Sequence, residues 1–268
     1  MKLLVAGSAE VDAGKTTFTT GLIERTGVRG YKPRAGNGYW YEQDDYRRAV
    51  ETGRLYGKDA RRIAAANPGS ARPEAINPLH RLWLPTPGRG KGVLGRDGRR
   101  FLFDRVTHDG DAYVVNGGVE IPPAAERAFP LAAAPAVGSI EELNELMADR
   151  HAPALEALTA EIDTRGSAIV ESYADIARPL SAFVPDGVAV VEPRRCRVYD
   201  GERYAKACEV ASGSAHEGRL EERVEHVIEL LEPSASVTLP ALSSEERSDL
   251  AAVADAYEAA YDALLDAV

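Results

Sequence analysis

AEVDAGKTTF, residues 9–18, follows the apolar run Leu3-Leu4-Val5-Ala6 near the start of the chain. A phosphate-binding loop needs backbone N–H groups converging on anionic oxygens, a lysine reaching the β- and γ-phosphates, and a hydroxyl on Mg²⁺. Ala9-x4-Gly14-Lys15-Thr16 has that spacing, with alanine in place of the usual first glycine. Lys2 to Ala6 reads as a buried strand and Lys15 to Glu24 as the helix after it, the setting such a loop requires. Glu10, Val11, Asp12, Ala13, Gly14, Lys15, Thr16 and Thr17 are therefore the expected nucleotide-binding residues, with Thr16 on the metal. The helix dipole contributes only about 0.3–1 kcal/mol per charge, so Lys15 and Mg²⁺ must supply most of the neutralisation.

Outward from the loop, Val28 to Lys32 reads as a second strand, stopped by Pro33. In an open parallel sheet the carboxyl ends of the strands line the ligand crevice, so Lys32 is expected near the phosphates. Ser167 to Val170 reads as a further buried strand, and Glu171 just past it is placed to hold Mg²⁺ directly or through water. Gly187 to Val191 and Val237 to Leu239 are further strand candidates, and helices are expected at about 42–66, from Ser139, at 202–211, at 220–231 and from Ser243. Ser139 with Glu142, and Ser243 with Glu246, have capping-box spacing. Proline and glycine crowd residues 68–95, which read as a long loop, and residues 99–116 read as a β-hairpin around His108-Asp109-Gly110. Strands alternating with helices predict an α/β fold: a doubly wound, mainly parallel sheet with helices on both faces, the P-loop NTPase fold. The expected organisation is one domain over residues 1–268, with a loop and β-hairpin insertion at about 86–120.

The 268 residues are 44% hydrophobic and 28% charged, with a net charge of -10 and a pI near 5.1, which suits a globular protein with a sizeable core. An acidic balance argues against nucleic acid as a partner. Cys196 and Cys208 are the only cysteines, so no disulfide framework or CxxC is present and a reducing cytoplasm is the expected setting. The apolar run at the start is too short for a membrane span or a signal-peptide core.

The VDAGKTT loop is similar to that of translational GTPases, but no Asn-Lys-x-Asp occurs, and the one DxxG candidate, Asp163 to Gly166, precedes a strand rather than following one. The guanine-switch reading therefore fails on both counts.

Four segments together resemble the dethiobiotin synthetase family: GSAEVDAGKTT (7–17), GYKPRAGN (30–37), AINPLHRLWLP (75–85) and IVES (169–172). Their order and rough spacing agree over residues 1 to about 180, and the first two are the more specific. The resemblance implies ATP, Mg²⁺ and phosphoryl transfer to a carbamate or carboxylate. It implies Lys15 on the phosphates, Lys32 as a catalytic lysine, and Thr16 and Glu171 as metal ligands. A further metal carboxylate is implied in LYGKDARRIAA: Asp59, with Asp44 and Asp45 as alternatives. The chain departs from the family in four places, one of them the extra hairpin insertion at 99–116. One extra residue separates Gly7 from Gly14, Ser172-Tyr173-Ala174-Asp175 replaces a glycine-rich run, and VVEPRRCRVYDG (190–201) stands where an adenine-binding strand end is expected. These point to a relative with a different substrate.

Arg34 beside Tyr39, Trp40 and Tyr41 reads either as an anchor for an anionic, partly planar ligand or as a turn packed on the core. Arg194, Arg195 and Arg197 read as a solvated loop or a phosphate or base contact. Arg89, Lys91, Arg96, Arg99 and Arg100 form the one basic stretch, a candidate closing loop. The expected partners are a nucleoside triphosphate and a small-molecule acceptor, without nucleic acid or membrane, in a chain for which a homodimer is one expected assembly. The competing expectation is a nucleotide-gated switch or chaperone acting on a protein partner.

Overall fold

The computed structural model describes residues 1–8, 14–69, 71–85, 95–96, 98–211 and 222–268. In chain order the first elements are β1 (Lys2–Gly7), α1 (Lys15–Thr26), β2 (Gly30–Tyr31), β3 (Arg34–Gly38), α2 (Gln43–Thr52), α3 (Lys58–Ala66) and α4 (Pro73–Ile76). There follow β4 (Leu79–Pro85), β5 (Gly95–Arg96), β6 (Arg99–Thr107), β7 (Asp111–Asn116), α5 (Pro123–Ala128), β8 (Ala136–Val137), α6 (Ile140–Leu146) and α7 (Ala152–Arg165). The remainder is β9 (Ala168–Glu171), β10 (Gly187–Glu192), β11 (Arg195–Asp200), α8 (Gly201–Ala211), α9 (Val224–Ile228), β12 (Ala235–Thr238), α10 (Leu250–Ala256) and α11 (Glu258–Leu265). No helix among the described residues is long and apolar enough to cross a membrane.

The chain forms two compact units: Met1–Pro33 with Arg62–Ala71 and Thr159–Val268, and Arg34–Arg61 with Arg72–Leu158. The hairpin expected at 99–116 is present as β6 and β7 and belongs to the second unit, which also takes in β3, α2 and β4.

The first unit carries a six-stranded sheet in the order β12-β11-β10-β1-β9-β2. The strands β10, β1, β9 and β2 are parallel, whereas β11 pairs antiparallel with β10 and β12 antiparallel with β11. The sequence-based α/β class is therefore found, but the expected mainly parallel sheet is corrected to a mixed one. The cause is a tight turn at Pro193-Arg194, where Glu192 pairs with Arg195 and Arg194 sits at φ 65. Proline followed by a left-handed residue closes a hairpin, so β11 folds straight back on β10. On β11, Cys196 and Val198 face the core while Arg195 lies at the surface, a period of two in which the arginines mask a strand.

Helix α1 buries Phe18 and Leu22 completely, each worth about 1.5–3 kcal/mol. It is backed by the carboxyl-terminal helices. A Cβ on Gly21 would lie 2.4 Å from the Tyr261 hydroxyl and 2.5 Å from Val253, so only glycine permits this approach. Tyr261 donates to the Phe18 carbonyl at 3.0 Å, and the two rings meet edge to face at 4.8 Å. The expected terminal helix is altered. The Ser243–Glu246 capping box forms, at 2.6 and 3.2 Å, but heads a single 3-10 turn. The helix proper starts at Leu250, where Asp249 caps the Ala251 and Ala252 amides, and is interrupted at Tyr257. Cys196 and Cys208 are buried free thiols.

The second unit carries a mixed sheet, β3-β4-β6-β7-β8, with β5 paired to β6. Its β4 falls within the expected loop 68–95; the surrounding prolines and glycines concealed a seven-residue strand with a bulge between Leu82 and Trp83. Tyr46, Leu55, Leu82, Leu102, Phe103 and Phe129 form one apolar cluster of this unit, and Trp83, Phe101, Val114 and Leu143 another. The Ser139 hydroxyl caps α6 by accepting from the Glu142 amide at 3.2 Å, as its spacing predicts.

Candidate functional site

Three neighbouring segments of the first unit bring the site together. Parallel pairing sets Val5 beside Glu171 and Tyr31 beside Val170, so β1, β9 and β2 end side by side and Lys32 emerges next to Glu171. Helix α1 starts beyond β1, with Gly14 at φ 91 as its N-cap. No side chain caps α1 and its first turn holds no acidic residue. Such an end has donors and a positive dipole, and among the described residues its first turn supplies no anion. At the end of β1, a Cβ on Gly7 would lie 2.5 Å from the Val191 carbonyl and 3.0 Å from the Lys15 side chain, so the strand end is packed to its limit.

The centre is Glu171, wholly buried. Its Oε1 accepts from the Thr16 hydroxyl at 2.8 Å and from the Lys32 ammonium. Its Oε2 is buried with no hydrogen-bond partner. Lys32 is itself only 2% exposed and donates a longer bond to the Ser172 carbonyl at 3.4 Å. A buried pair of this kind holds together through mutual compensation, since either charge alone would bear the full cost of burial.

Lys15 approaches from the other side, donating to the Ala174 carbonyl at 3.0 Å and the Ser8 carbonyl at 3.4 Å. Ala174 has φ 50, a left-handed conformation that costs an L-residue about 1–2 kcal/mol. This is the stretch where the resembled family carries glycines, and the conformation is one glycine adopts freely. The segment after it is strapped by antiparallel pairing: Val224 donates to the Asp175 carbonyl and Ala177 to the Glu222 carbonyl, both at 2.8 Å. The Arg223 Nε lies 3.5 Å from the Asp175 carboxylate.

Thus Lys15, Thr16, Lys32 and Glu171 lie together, while Thr17 and Gly14 occupy the adjacent turn. Ala9, Glu10, Val11, Asp12 and Ala13 lie outside the described residues. Asp59 is in the first turn of α3, in the second unit, as Asp44 and Asp45 are in the first turn of α2. Asp45 braces the local fold, since its Oδ2 accepts the Lys58 amide at 2.8 Å and its Oδ1 accepts from Arg48 at 2.5 Å. Arg195 and Arg197 both grip Glu192, at 3.0 and 2.9 Å. The Arg99 guanidinium lies 4.4 Å from the Trp83 ring centroid. Arg89 and Lys91 lie outside the described residues, as does the Arg96 side chain.

The donor set fits Mg²⁺. Thr16 and Glu171 present hard oxygens, and one Glu171 oxygen lacks a partner. Mg²⁺ usually takes only one or two carboxylates, with water and phosphate completing its octahedron. Among the described residues no group of three or more His, Cys, Asp or Glu could form an all-protein metal cage. The Ala174 carbonyl is not legible in the sequence as part of the site; the one signal is the S-Y-A-D departure from a glycine-rich run.

No protein-family model, curated protein or solved structure matches the chain.

Proposed function

We propose that this chain binds Mg-ATP at the amino end of α1 and transfers the γ-phosphoryl group to a small carboxylate or carbamate, in an ATP-dependent ligase reaction. The observation that carries this reading is Glu171: one oxygen bound by Thr16 and Lys32, the other buried and unsatisfied beside them. An ordinary core would not retain a carboxylate in that state. A metal-bridged triphosphate would engage it.

Each residue then has a physical role. Lys15, which donates to the Ala174 and Ser8 carbonyls, would turn to the β- and γ-phosphate oxygens. Lys32 places a positive charge at the strand ends, where charge grows on the transferred group. Thr16 and Glu171 would hold the metal. Mg²⁺, when bound, neutralises phosphate charge and orients the terminal phosphate. The acceptor oxygen attacks the γ-phosphorus and ADP departs, leaving an acyl or carbamoyl phosphate. An amine then attacks the carbonyl carbon and phosphate leaves. The resemblance in Gly30-Tyr31-Lys32-Pro33 and the GKT loop supports this reaction class; the S-Y-A-D segment and the Pro193-Arg194 hairpin support a substrate other than the biotin precursor.

Calorimetry with Mg-ATP and Mg-GTP on the wild type and Lys15→Ala tests the first half. Heat from Mg-ATP that disappears in the variant is expected; no heat from either nucleotide ends the reading. Phosphate release measured across a panel of small carboxylates and diamines tests the second half. A ligase gives slow basal turnover that rises with its acceptor, whereas turnover that answers only to a protein partner assigns a switch.

A further inference from the structure

Thr16 and Thr17 are consecutive residues of α1, so their side chains point about 100° apart around the helix axis. Thr16 turns to Glu171; the buried Thr17 turns to Arg62, whose Nη2 donates to its Oγ1 at 3.4 Å. Arg62 belongs to the first unit and lies on α3. The same Nη2 also donates to the Arg247 carbonyl at 2.9 Å. Those two neutral oxygens are its acceptors, and no carboxylate within ion-pair distance balances it among the described residues. Among the described residues, a half-buried guanidinium thus stands beside an amino end of α1 whose first turn carries no acid, with no carboxylate to balance it.

We propose that Arg62 is a phosphate-binding residue of this site and that it contacts the α-phosphate of the nucleotide. The inference rests on the nucleotide reading above and extends it to a residue that neither the loop motif nor the family resemblance includes. The position selects the phosphate. Lys15, Thr16, Lys32 and Glu171 gather on the side where the metal and the terminal phosphates are handled. In such loops the lysine and the first hydroxyl take the β- and γ-phosphates while the backbone cradles α and β. The next residue of the helix faces away from the terminal end, and Arg62 is aligned with it. A planar guanidinium can grip two phosphate oxygens at once, so the weak 3.4 Å bond to Thr17 is one it would readily exchange.

The test is the affinity of wild type, Arg62→Ala and Arg62→Lys for Mg-ATP and Mg-ADP, by calorimetry, with urea unfolding of each apo protein as a check on folding. Arg62→Ala is expected to weaken both nucleotides by the same factor, about tenfold or more, as for loss of one charge-assisted hydrogen bond. Arg62→Lys is expected to fall between, since it keeps the charge and loses the fork. Unchanged affinity in Arg62→Ala overturns the proposal and leaves the nucleotide reading standing. A loss confined to Mg-ATP also overturns it, because it would put Arg62 on the γ-phosphate. A wild type that binds neither nucleotide overturns both readings. Should Arg62→Ala fail to fold, Arg62→Lys decides the matter by the same ATP-to-ADP comparison.

Discussion

Lys32 and Glu171 are 139 residues apart in the chain and form one buried ion pair, side by side at the ends of adjacent parallel strands. The pair depends on both members. Lys32→Met is expected to destabilise the protein by about 3–5 kcal/mol, because it strands a carboxylate with 0% exposure. Lys32→Met with Glu171→Gln is expected to recover much of that loss. Urea unfolding of the two variants measures it; a single variant within 1 kcal/mol or so of wild type would mean the pair is not buried in solution.

On the Mg-ATP reading proposed above, Thr16 and Glu171 offer the metal only two protein oxygens, so it would arrive with the nucleotide rather than hold the fold. EDTA is therefore expected to leave the melting temperature of the apo protein unchanged. It should abolish the thermal shift that ATP produces, and Thr16→Val should reduce that shift even with Mg²⁺ in excess. Apo protein that melts earlier in EDTA would point instead to a structural metal.

His151 reports on the second unit. It ends a single π-helical turn, Met147–His151, and its Nε2 is buried without a hydrogen bond, 3.6 Å from the Asp104 carboxylate. Burial pushes its pKa down from 6.5 to about 4; the Arg81 and Arg34 guanidiniums add to the effect and Asp104 opposes it. Arg81 already clasps Asp104 through two bonds of 2.6 Å, so His151 stays neutral at pH 7. Between pH 6.5 and 4 the unfolded chain takes up a proton at this residue that the folded chain refuses. Stability should therefore decline as pH falls through that window, by on the order of 3 kcal/mol in total. His151→Gln is expected to flatten that part of the stability–pH curve. An unaltered slope would assign the decline to other groups.

Gly7→Ala would bring a methyl group to within 2.5 Å of the Val191 carbonyl, a backbone atom that cannot swing aside. The expected cost is about 1–3 kcal/mol, together with weaker nucleotide binding, since the strand end and Lys15 must shift together. Gly69→Ala is a control for glycine loss without crowding: it has φ 74 and no neighbour within 4 Å of the added carbon. Equal losses of nucleotide affinity in the two variants would contradict the argument from Val191.

The parts legible in the sequence were those governed by local signals. A buried run before GKT marked β1 and α1, Ser139 with Glu142 marked the start of α6, and the His108-Asp109-Gly110 turn marked the β6–β7 hairpin. Lys32 and Glu171 were legible because each follows an apolar strand at its carboxyl end. What escaped depended on contacts distant in the chain. The strand β4 was concealed by flanking proline and glycine, and β11 by arginines that cover its outer side while Cys196 and Val198 face inward. Asp45 looks like a free acid in the sequence; only folding shows that it caps the start of α3. The Ser243–Glu246 capping box signals a helix start, yet the helix begins only after Asp249, which accepts from two amides of its first turn.

The fit of Gly21 against Val253 and Tyr261 also bears on the order in which the molecule can be made. Ribosomes deliver α1 long before α10 and α11, so the side it turns to Val253 and Tyr261 stays open until those helices emerge. The nascent chain carries that unfinished layer while everything between α1 and α10 is made, exposed to chaperones and proteases. Stalling translation between α9 and α10 should therefore leave α1 protease-sensitive, and resistance should follow once α11 is released.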